Sequence, residues 1–314
     1  MITITRAPPY LTVQDTGRKH SLSSGVPRGG AMDGFALQAL NALVGNPLDT
    51  PALEWALGGG TLRFQVDCVL AFGGARARAV LGKETVSSFT TRYAKAGDQL
   101  AVEQLTSGRF LYIAFGGGID VPPILASRST YLPGRFGGYN GRLIAHNDTL
   151  ILGARPSSTP AEGFTCPPEL IPRYESAAVR ITRGPHSDLF DESTWRTLTE
   201  TEFVVSTASD RTGYKLTGKP VSDAAHNLPS DPSCQGAIQI PGDGAPIVLM
   251  ADAPTVGGYP KMAIVAEADL PIIAQRSPGE RVRFQLVTIE QSQRALKHRT
   301  SDLYTIGATG AASA

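Results

Sequence analysis

The sequence predicts a mainly β protein built as two lobes, and three observations carry that expectation. Gly at 34 and Pro at 23 of 314 residues punctuate the chain every few positions, which suits short strands joined by tight turns better than long helices. The apolar stretches are of core-strand length and grow out of apolar–polar alternation, as in TLRFQVDCVLAF (61–72) and GRFLYIAFGGGIDV (108–121). Finally, motifs of the first half return in order in the second. VPRGGAMDGFAL (26–37) parallels ASDRTGYKLTG (208–218), ALEWALGGGTLRF (52–64) parallels AIQIPGDGAPIVL (237–249), and KAGDQLAV (95–102) parallels SPGERVRF (277–284). A duplicated β-lobe with a groove between the copies explains this economically. Chance similarity of glycine-rich turns is the alternative.

The first lobe is expected over residues 1–153. One helix stands out in it: Asp33 caps DGFALQALNALVG, Phe35, Leu37, Leu40, Leu43 and Val44 recur at helical spacing, and Gly45 supplies the stop. RPSSTPAEGFTCPPELIP (155–172) carries five prolines and cannot hold a regular ladder, so 154–177 reads as a linker or a surface excursion. The second lobe, 178–290, opens with AVRITRGP (178–185). A short helix follows near Asp188 to Leu198, capped by Ser187 or Asp188. Strands resume at EFVVS (202–206), GAIQIP (236–241) and APIVLMAD (245–252). A further short helix starts at Asp269 with Pro271 in its first turn, and RVRFQLVTI (281–289) is the last strand. Residues 291–314 read as a frayed basic helix running into a mobile tail.

Charge and composition narrow the function classes. Lys plus Arg number 29 against 28 Asp plus Glu, a net of +1, which leaves no broad basic field for a nucleic-acid backbone. MITITRAPPYLTV lacks the succession of a signal peptide, and no apolar run is long enough to cross a bilayer, so a cytoplasmic protein without a membrane partner is expected. Cys68, Cys166 and Cys234 are odd in number and far apart, giving neither a disulfide framework nor a metal pair. The five histidines never form a close pair, so no metal is expected. Gly82-Lys83 and Gly218-Lys219 lack the rest of a phosphate loop, and no G-x-S-x-G elbow occurs. Gly73-Gly74 and Gly116–Gly118 follow strands without opening the helix a dinucleotide site needs.

Polar clusters set among glycines remain. TVQDTGRKH places Asp15 and Arg18 around a turn, either aimed together at a polar ligand or tied to each other. GGGIDVPPILASRSTYLPGRFGGYNGR (116–142) carries Arg128, Arg135 and Arg142 with Asp120 as the main acid, a pattern suited to a carboxylate or phosphate, or else a solvated arginine face. SDRTGY (209–214) and DAPTVGGYPK (252–261) set Asp210, Arg211, Asp252, Tyr259 and Lys261 beside glycines. Lys261 suits a charge stabiliser or proton carrier and Tyr259 an orienting hydroxyl; each residue taken singly is as well explained as a surface or corner group. Glu54 and Gln239 hold equivalent places in otherwise apolar strands, and each needs a partner from a turn or a ligand. The candidate catalytic residues are therefore Lys261, Tyr259 and Asp252. Asp15, Arg18, Arg128, Arg142, Asp210, Arg211 and Gln239 are candidates for binding substrate or an anion. Arg128, Arg142, Arg211 and Lys261 are expected either to converge on one anion-binding groove, balanced by Asp15, Asp210 and Asp252, or to form separate ion pairs with those aspartates.

TVQDTGR, GVPRGGAMD, GGGIDVPP, SRST, RFGGYNGR, SDRTGY, GAIQIP and GGYPK, in this order, resemble the biotin-dependent carboxyltransferase family, also called the allophanate hydrolase subunit 2 family. The resemblance runs from about Ile4 to Ile289. It implies two cyclophilin-like β-barrel lobes and tight pairing with a B-type sister protein. Bacterial members include the C-type subunits of 5-oxoprolinases, which work with B-type and A-type subunits to open 5-oxoproline to glutamate with ATP hydrolysis. A related segment of eukaryotic-type urea carboxylase receives carboxybiotin. The resemblance thus implies ATP held by the complex, and biotin only in trans, because Lys261 is preceded by Pro260 and no Met-Lys-Met attachment sequence is present. Three roles stay open: one component of an ATP-dependent lactam hydrolase active only in complex, a carboxyltransferase component of a urea or amide carboxylase, and a regulatory protein that only binds its sister.

Overall fold

The computed structural model describes residues 1–155, 160–176, 178–221 and 228–312. They fall into two compact units, Met1–Lys19 with Gly29–Pro172 and Thr300–Ala314, and His20–Arg28 with Arg173–Arg299. Both are mainly β, as expected. The division differs from a cut in the proline-rich stretch at two places, since 20–28 goes with the second unit and 300–314 with the first.

The first unit holds β1 (Ile2–Arg6), β2 (Tyr10–Gln14), β3 (Ala52–Ala56), β4 (Gly60–Phe64), β5 (Cys68–Leu81), β6 (Glu84–Val86), β7 (Arg92–Ala94), β8 (Gln99–Phe115) and β9 (Thr149–Leu150), with helix α1 (Gly34–Leu43). Among the described residues these strands form one nine-stranded sheet, ordered β2-β3-β8-β4-β1-β9, with β5 paired to β6, β7 and β8. Alternation selects the core face: in β4, Leu62 and Phe64 are buried while Arg63 is exposed. They join Ile2, Ile4, Leu11, Val13, Trp55, Phe72 and Phe115 in one apolar cluster. At Gly73 the Phe89 ring packs so close that a Cβ would sit 2.7 Å from it, which fixes glycine there. The stretch 61–72 is not one strand. It breaks at the exposed Gln65–Asp67, where Asp67 accepts the Ala96 N–H at 2.8 Å and caps a turn instead.

Helix α1 forms as read. The Asp33 carboxylate accepts the Ala36 N–H at 2.9 Å, and Gly45 follows the last turn with φ of 76°. The expected correspondence of 26–37 with 208–218 fails, because the former enters this helix and the latter a strand. Of the linker 154–177, residues 156–159 and 177 lie outside the described residues. Residues 160–172 pack on the first unit: Phe164 O accepts from Thr91 N at 2.8 Å, Phe89 O accepts from Cys166 N at 2.8 Å, and Cys166 is buried; residues 173–176 go with the second, where Ser176 O accepts from Arg276 Nη2.

The second unit holds β10 (Ala178–Arg183), β11 (Phe203–Val205), β12 (Gly213–Thr217), β13 (Asp231–Pro232), β14 (Ala237–Gln239), β15 (Ile247–Leu249), β16 (Val256–Gly257), β17 (Lys261–Val265) and β18 (Arg281–Leu286), with α2 (Glu192–Glu200) and α3 (Leu270–Ala274). Seven strands close a barrel in the order β10-β17-β14-β15-β12-β11-β18, and β13 and β16 make a separate two-stranded ribbon. Parallel pairing of β10 with β18, from Ala178↔Arg283 to Ile181↔Leu286, completes the ring and leaves no open edge.

Helix α2 is capped by Asp191, whose carboxylate accepts the Thr194 N–H at 2.8 Å, and not by Ser187 or Asp188, which make a single 3-10 turn. Helix α3 starts after Asp269 with Pro271 in its first turn, as read. The Asp269 carboxylate instead takes the Arg180 guanidinium, at 2.5 and 2.9 Å. The last strand ends at Leu286, and the expected basic helix is present as α4 (Ile289–Ala312), which runs on through residues expected to form a mobile tail. Its Leu303 and Ile306 are buried. No helix among the described residues is long and apolar enough to cross a membrane.

Candidate functional site

The densest polar cluster of the second unit is built on the start of β17. Lys261 opens that strand opposite Gln239 of β14, next to a register shift between Ile238 and Gln239. Such a bulge re-aims the side chains beside it. Lys261 is only 2 % exposed, so its ammonium must find a countercharge, and its Nζ meets Asp231 Oδ1. His186 Nε2 lies 3.6 Å from the other oxygen of the same carboxylate. The His186 ring is held from the opposite side, since Nδ1 accepts the Lys261 N–H at 3.0 Å while His186 N donates to Lys261 O at 3.2 Å. An Nδ1 that accepts places the ring proton on Nε2, facing Asp231. Lysine, aspartate and histidine thus form a line in which each charge or proton has a defined neighbour. Such a line can present a fixed positive group to charge that develops on a substrate oxygen.

Arg211 and Asp252 form a second charged element of this unit. The guanidinium grips the carboxylate as a fork, with Nε 2.8 Å from Oδ2 and Nη2 3.0 Å from Oδ1, and both side chains are buried. Arg211 O also accepts the Asp252 N–H at 2.9 Å. Asp210 is exposed and serves the chain turn, its carboxylate accepting the Thr212 and Gly213 N–H groups at 2.8 and 3.3 Å. Tyr259 is 49 % exposed.

In the first unit the SRST segment wraps Asp15. The carboxylate accepts from Gly17 N at 2.8 Å, Ser127 Oγ at 2.7 Å, Ser129 Oγ at 2.5 Å and Arg128 N at 2.5 Å. Four donors on one buried carboxylate make it a structural knot that sets the loop. Arg18, 1 % exposed, donates from Nη2 to Ser129 O and stacks 4.8 Å from the centre of the Phe136 ring. Arg128 is exposed, with Nε donating to Val121 O at 2.9 Å. Arg142 forks onto Asp148 at 2.6 and 2.8 Å over the Tyr139 ring. The hydrogen bonds from Arg142 lead in holding the Asp148 carboxyl below the usual carboxylate range. Glu54 finds its partners within the unit, accepting from Met32 N at 2.9 Å and from the Tyr112 hydroxyl at 2.7 Å.

Residues 24–286 match the model of a family described as carboxyltransferase domain, subdomain A and B. The chain belongs to this family. The ordered motifs that pointed to carboxyltransferases are therefore matched over most of the chain. The C-type subunit of 5-oxoprolinase from Escherichia coli K12 is 36 % identical over 297 residues, 94 % of this chain and 94 % of that protein. Urea amidolyase of Saccharomyces cerevisiae is 32 % identical over 94 % of this chain, which spans 17 % of that longer protein. The crystal structure of the K. lactis urea amidolyase superposes with a TM-score of 0.89 at 30 % identity, covering 97 % of this chain and 20 % of that one.

Within this carboxyltransferase-domain chain, Lys261 and Gln239 are brought to adjacent strands and Arg211 to Asp252. Asp15, Arg18 and Arg128 are gathered by the SRST segment. Arg142, Arg211 and Lys261 each face a carboxylate of their own unit, namely Asp148, Asp252 and Asp231. Of the three aspartates expected as countercharges, Asp252 alone takes a guanidinium fork among these contacts. Asp231 and His186 were not read as site residues. The available signal was Lys261 itself: a lysine opening the apolar strand KMAIV demands a carboxylate from elsewhere in the chain. Which carboxylate answers is set by the barrel and the β13–β16 ribbon, and neither is visible in local sequence. Among the described residues no group of three or more His, Cys, Asp or Glu is placed to hold a metal ion.

Proposed function

We propose that this chain is the C-type subunit of an ATP-dependent 5-oxoprolinase, hydrolysing 5-oxoproline to glutamate together with B-type and A-type subunits. The observation that carries this is the end-to-end match to the C-type 5-oxoprolinase subunit of Escherichia coli, which covers 94 % of both chains. The charged groups support a protein that stabilises and positions, with Lys261 as the buried cation near the reacting amide and Tyr259 and Asp252 as the further candidates for the catalytic centre. Asp15, Arg18, Arg128, Arg142, Asp210, Arg211 and Gln239 remain the proposed residues for substrate or anion binding.

ATP fits the partners better than this chain. Gly82-Lys83 forms the two-residue turn of the β5–β6 hairpin, between Leu81 and Glu84, and Gly218-Lys219 follows the end of β12. Neither leads into a helix N-terminus that could take phosphates. ATP hydrolysis would supply the driving force for opening the lactam. The test is co-expression with B-type and A-type subunits, followed by size-exclusion chromatography and an assay for glutamate. One joint peak and ATP-dependent glutamate release that needs all three proteins are expected. A joint complex that leaves 5-oxoproline untouched would overturn the reading.

The second reading is a carboxyltransferase component acting on urea or a related amide, favoured by the family description and the match to urea amidolyase. Biotin would then arrive on another protein. Transfer of carboxyl from a carboxylated biotin carrier to urea by the assembled complex is the outcome that would favour it.

A further inference from the structure

We propose that the cleft between helix α2 and strands β10 and β18 of the second unit is a binding site for a small monocarboxylate that carries an apolar body. This site shares no residue with the Lys261–Asp231–His186 line, and its assignment holds whichever reaction the assembled protein performs.

The cleft has a volume of about 350 Å³, within the range of small-molecule sites, and it opens to solvent. Its apolar lining is Trp195 and Phe284, each 3 % exposed, with Leu286, which keeps 39 % of its surface in water. Its polar lining leaves groups unmatched. The Arg183 guanidinium stacks 4.5 Å from the centre of the Trp195 ring and meets Glu192 Oε1 at 3.2 Å. The Glu192 side chain is 79 % exposed, so this pair is screened and exchanges readily for a better acceptor. Among the described residues the Arg196 guanidinium and the Gln285 carboxamide, both in the lining, make no hydrogen bond or ion pair. The Trp195 indole N–H is buried without an acceptor, although an indole in that position ordinarily has one. Two guanidiniums therefore stand against one carboxylate, beside an apolar wall and donors that the folded chain leaves unused.

The chemistry of the lining selects the ligand class. A surplus of one positive charge matches a monoanion. Guanidinium groups present a planar fork that suits the two oxygens of a carboxylate, and the Gln285 amide adds a neutral donor. Trp195, Phe284 and Leu286 offer apolar surface that a short hydrocarbon body can cover, with Leu286 gaining most because it is the most open of the three. Phosphate would leave that surface wet, and a neutral amide would leave Arg196 unmatched. The competing view is a solvated arginine pair that does no more than shield a buried indole.

Saturation-transfer NMR on the full chain tests the site with three probes: hexanoate, its neutral counterpart hexanamide, and inorganic phosphate as a competitor. Hexanoate should bind saturably with a dissociation constant on the order of 1 mM, and hexanamide at least about 10-fold more weakly. Phosphate should displace hexanoate only at concentrations well above those of hexanoate itself. Arg196→Gln removes a charge that ties nothing in the folded protein, so it should weaken hexanoate binding by about 10-fold with the thermal unfolding midpoint unchanged. Leu286→Asp places a carboxylate at the partly open apolar wall and should abolish binding. If Leu286→Asp does not fold, Arg196→Gln alone decides the location. Absence of saturable hexanoate binding overturns the proposal, as does hexanamide binding as tightly as hexanoate or phosphate displacing hexanoate at equal concentration. Wild-type affinity in Arg196→Gln overturns it as well, because the carboxylate is then held elsewhere.

Discussion

The charged residues of this chain divide by how far each is withdrawn from water. Arg142 and Asp148 form a fork whose guanidinium is about half exposed, and surface pairs of that kind contribute about 0–1 kcal/mol. Arg211 and Asp252 make the same fork with both side chains under a tenth exposed, so losing either partner strands a desolvated charge. Arg211→Ala should therefore lower the unfolding free energy by about 3–5 kcal/mol in urea titration. The double replacement with Asp252→Ala should cost clearly less than the sum of the two single ones. A loss below about 1 kcal/mol for Arg211→Ala would mean that the guanidinium is not anchored by Asp252 and is available to a ligand. At this scale the sequence showed which residues carry charge and left two readings of each open. Burial, which local sequence does not encode, decides how much each pair matters to folding.

Elements were legible where their signals are local. Helix α1 has its cap, its periodicity and its terminal glycine within thirteen residues of sequence (33–45), and all three act as read. Strands β14, β15 and β18 were visible as apolar runs, but their order around the barrel was not, because pairing joins residues far apart in the chain. The cap of α2 was misplaced onto Ser187 or Asp188 because several residues in HSDLFDEST can cap. Asp191 wins by accepting from Thr194 N and Oγ1 and from the Ser193 hydroxyl together. Helix α4 was legible over QSQRALKHRTSDLY as a frayed basic helix, but its run on to Ala312 and its burial were not. Its QSQRALKHRTSDLY stretch looks solvated, and its hold on the first unit depends on few residues, chiefly Leu303 at 6 % and Ile306 at 0 % exposure. A Cβ on Gly307 would lie 3.8 Å from Ala42 Cβ of α1, ordinary packing distance. Ile306→Ala should then destabilise the protein by about 2–5 kcal/mol, read from denaturant unfolding. A loose tail predicts a change within about 0.5 kcal/mol, so the two views separate cleanly.

For the molecule as a whole, two β units and the family could be read from motif order, while the two exchanged segments, 20–28 and 300–314, could not. Nothing in their composition marks them as belonging with the other half. The same whole-molecule burial governs how stability responds to alkali. Burial pushes the Cys68 thiol up to about 12, opposed in part by the N-terminal amine. It pushes Cys166 up to about 12 as well, with the Glu169 and Asp302 carboxylates adding to the rise. The Tyr112 phenol is raised well above its ordinary value by burial and by Glu54. In the unfolded chain such thiols ionise near about 8.5 and such phenols near about 10. Above those values the unfolded state sheds protons that the folded state keeps, so each group favours unfolding. The contribution is fully present below pH of about 8.5 and is lost as pH rises toward 12. The unfolding free energy should accordingly stay level from about pH 7 to 8 and fall steadily above about 9. Cys68→Ala and Cys166→Ala should each make that fall shallower. Thiol counting with a chromogenic disulfide at pH 8 gives an independent reading of the same burial. The folded protein should show one reactive thiol, the exposed Cys234, and the unfolded chain all three. Rapid reaction of all three in the folded protein, or a stability that does not decline above pH 9, would show that Cys68 and Cys166 are open to solvent.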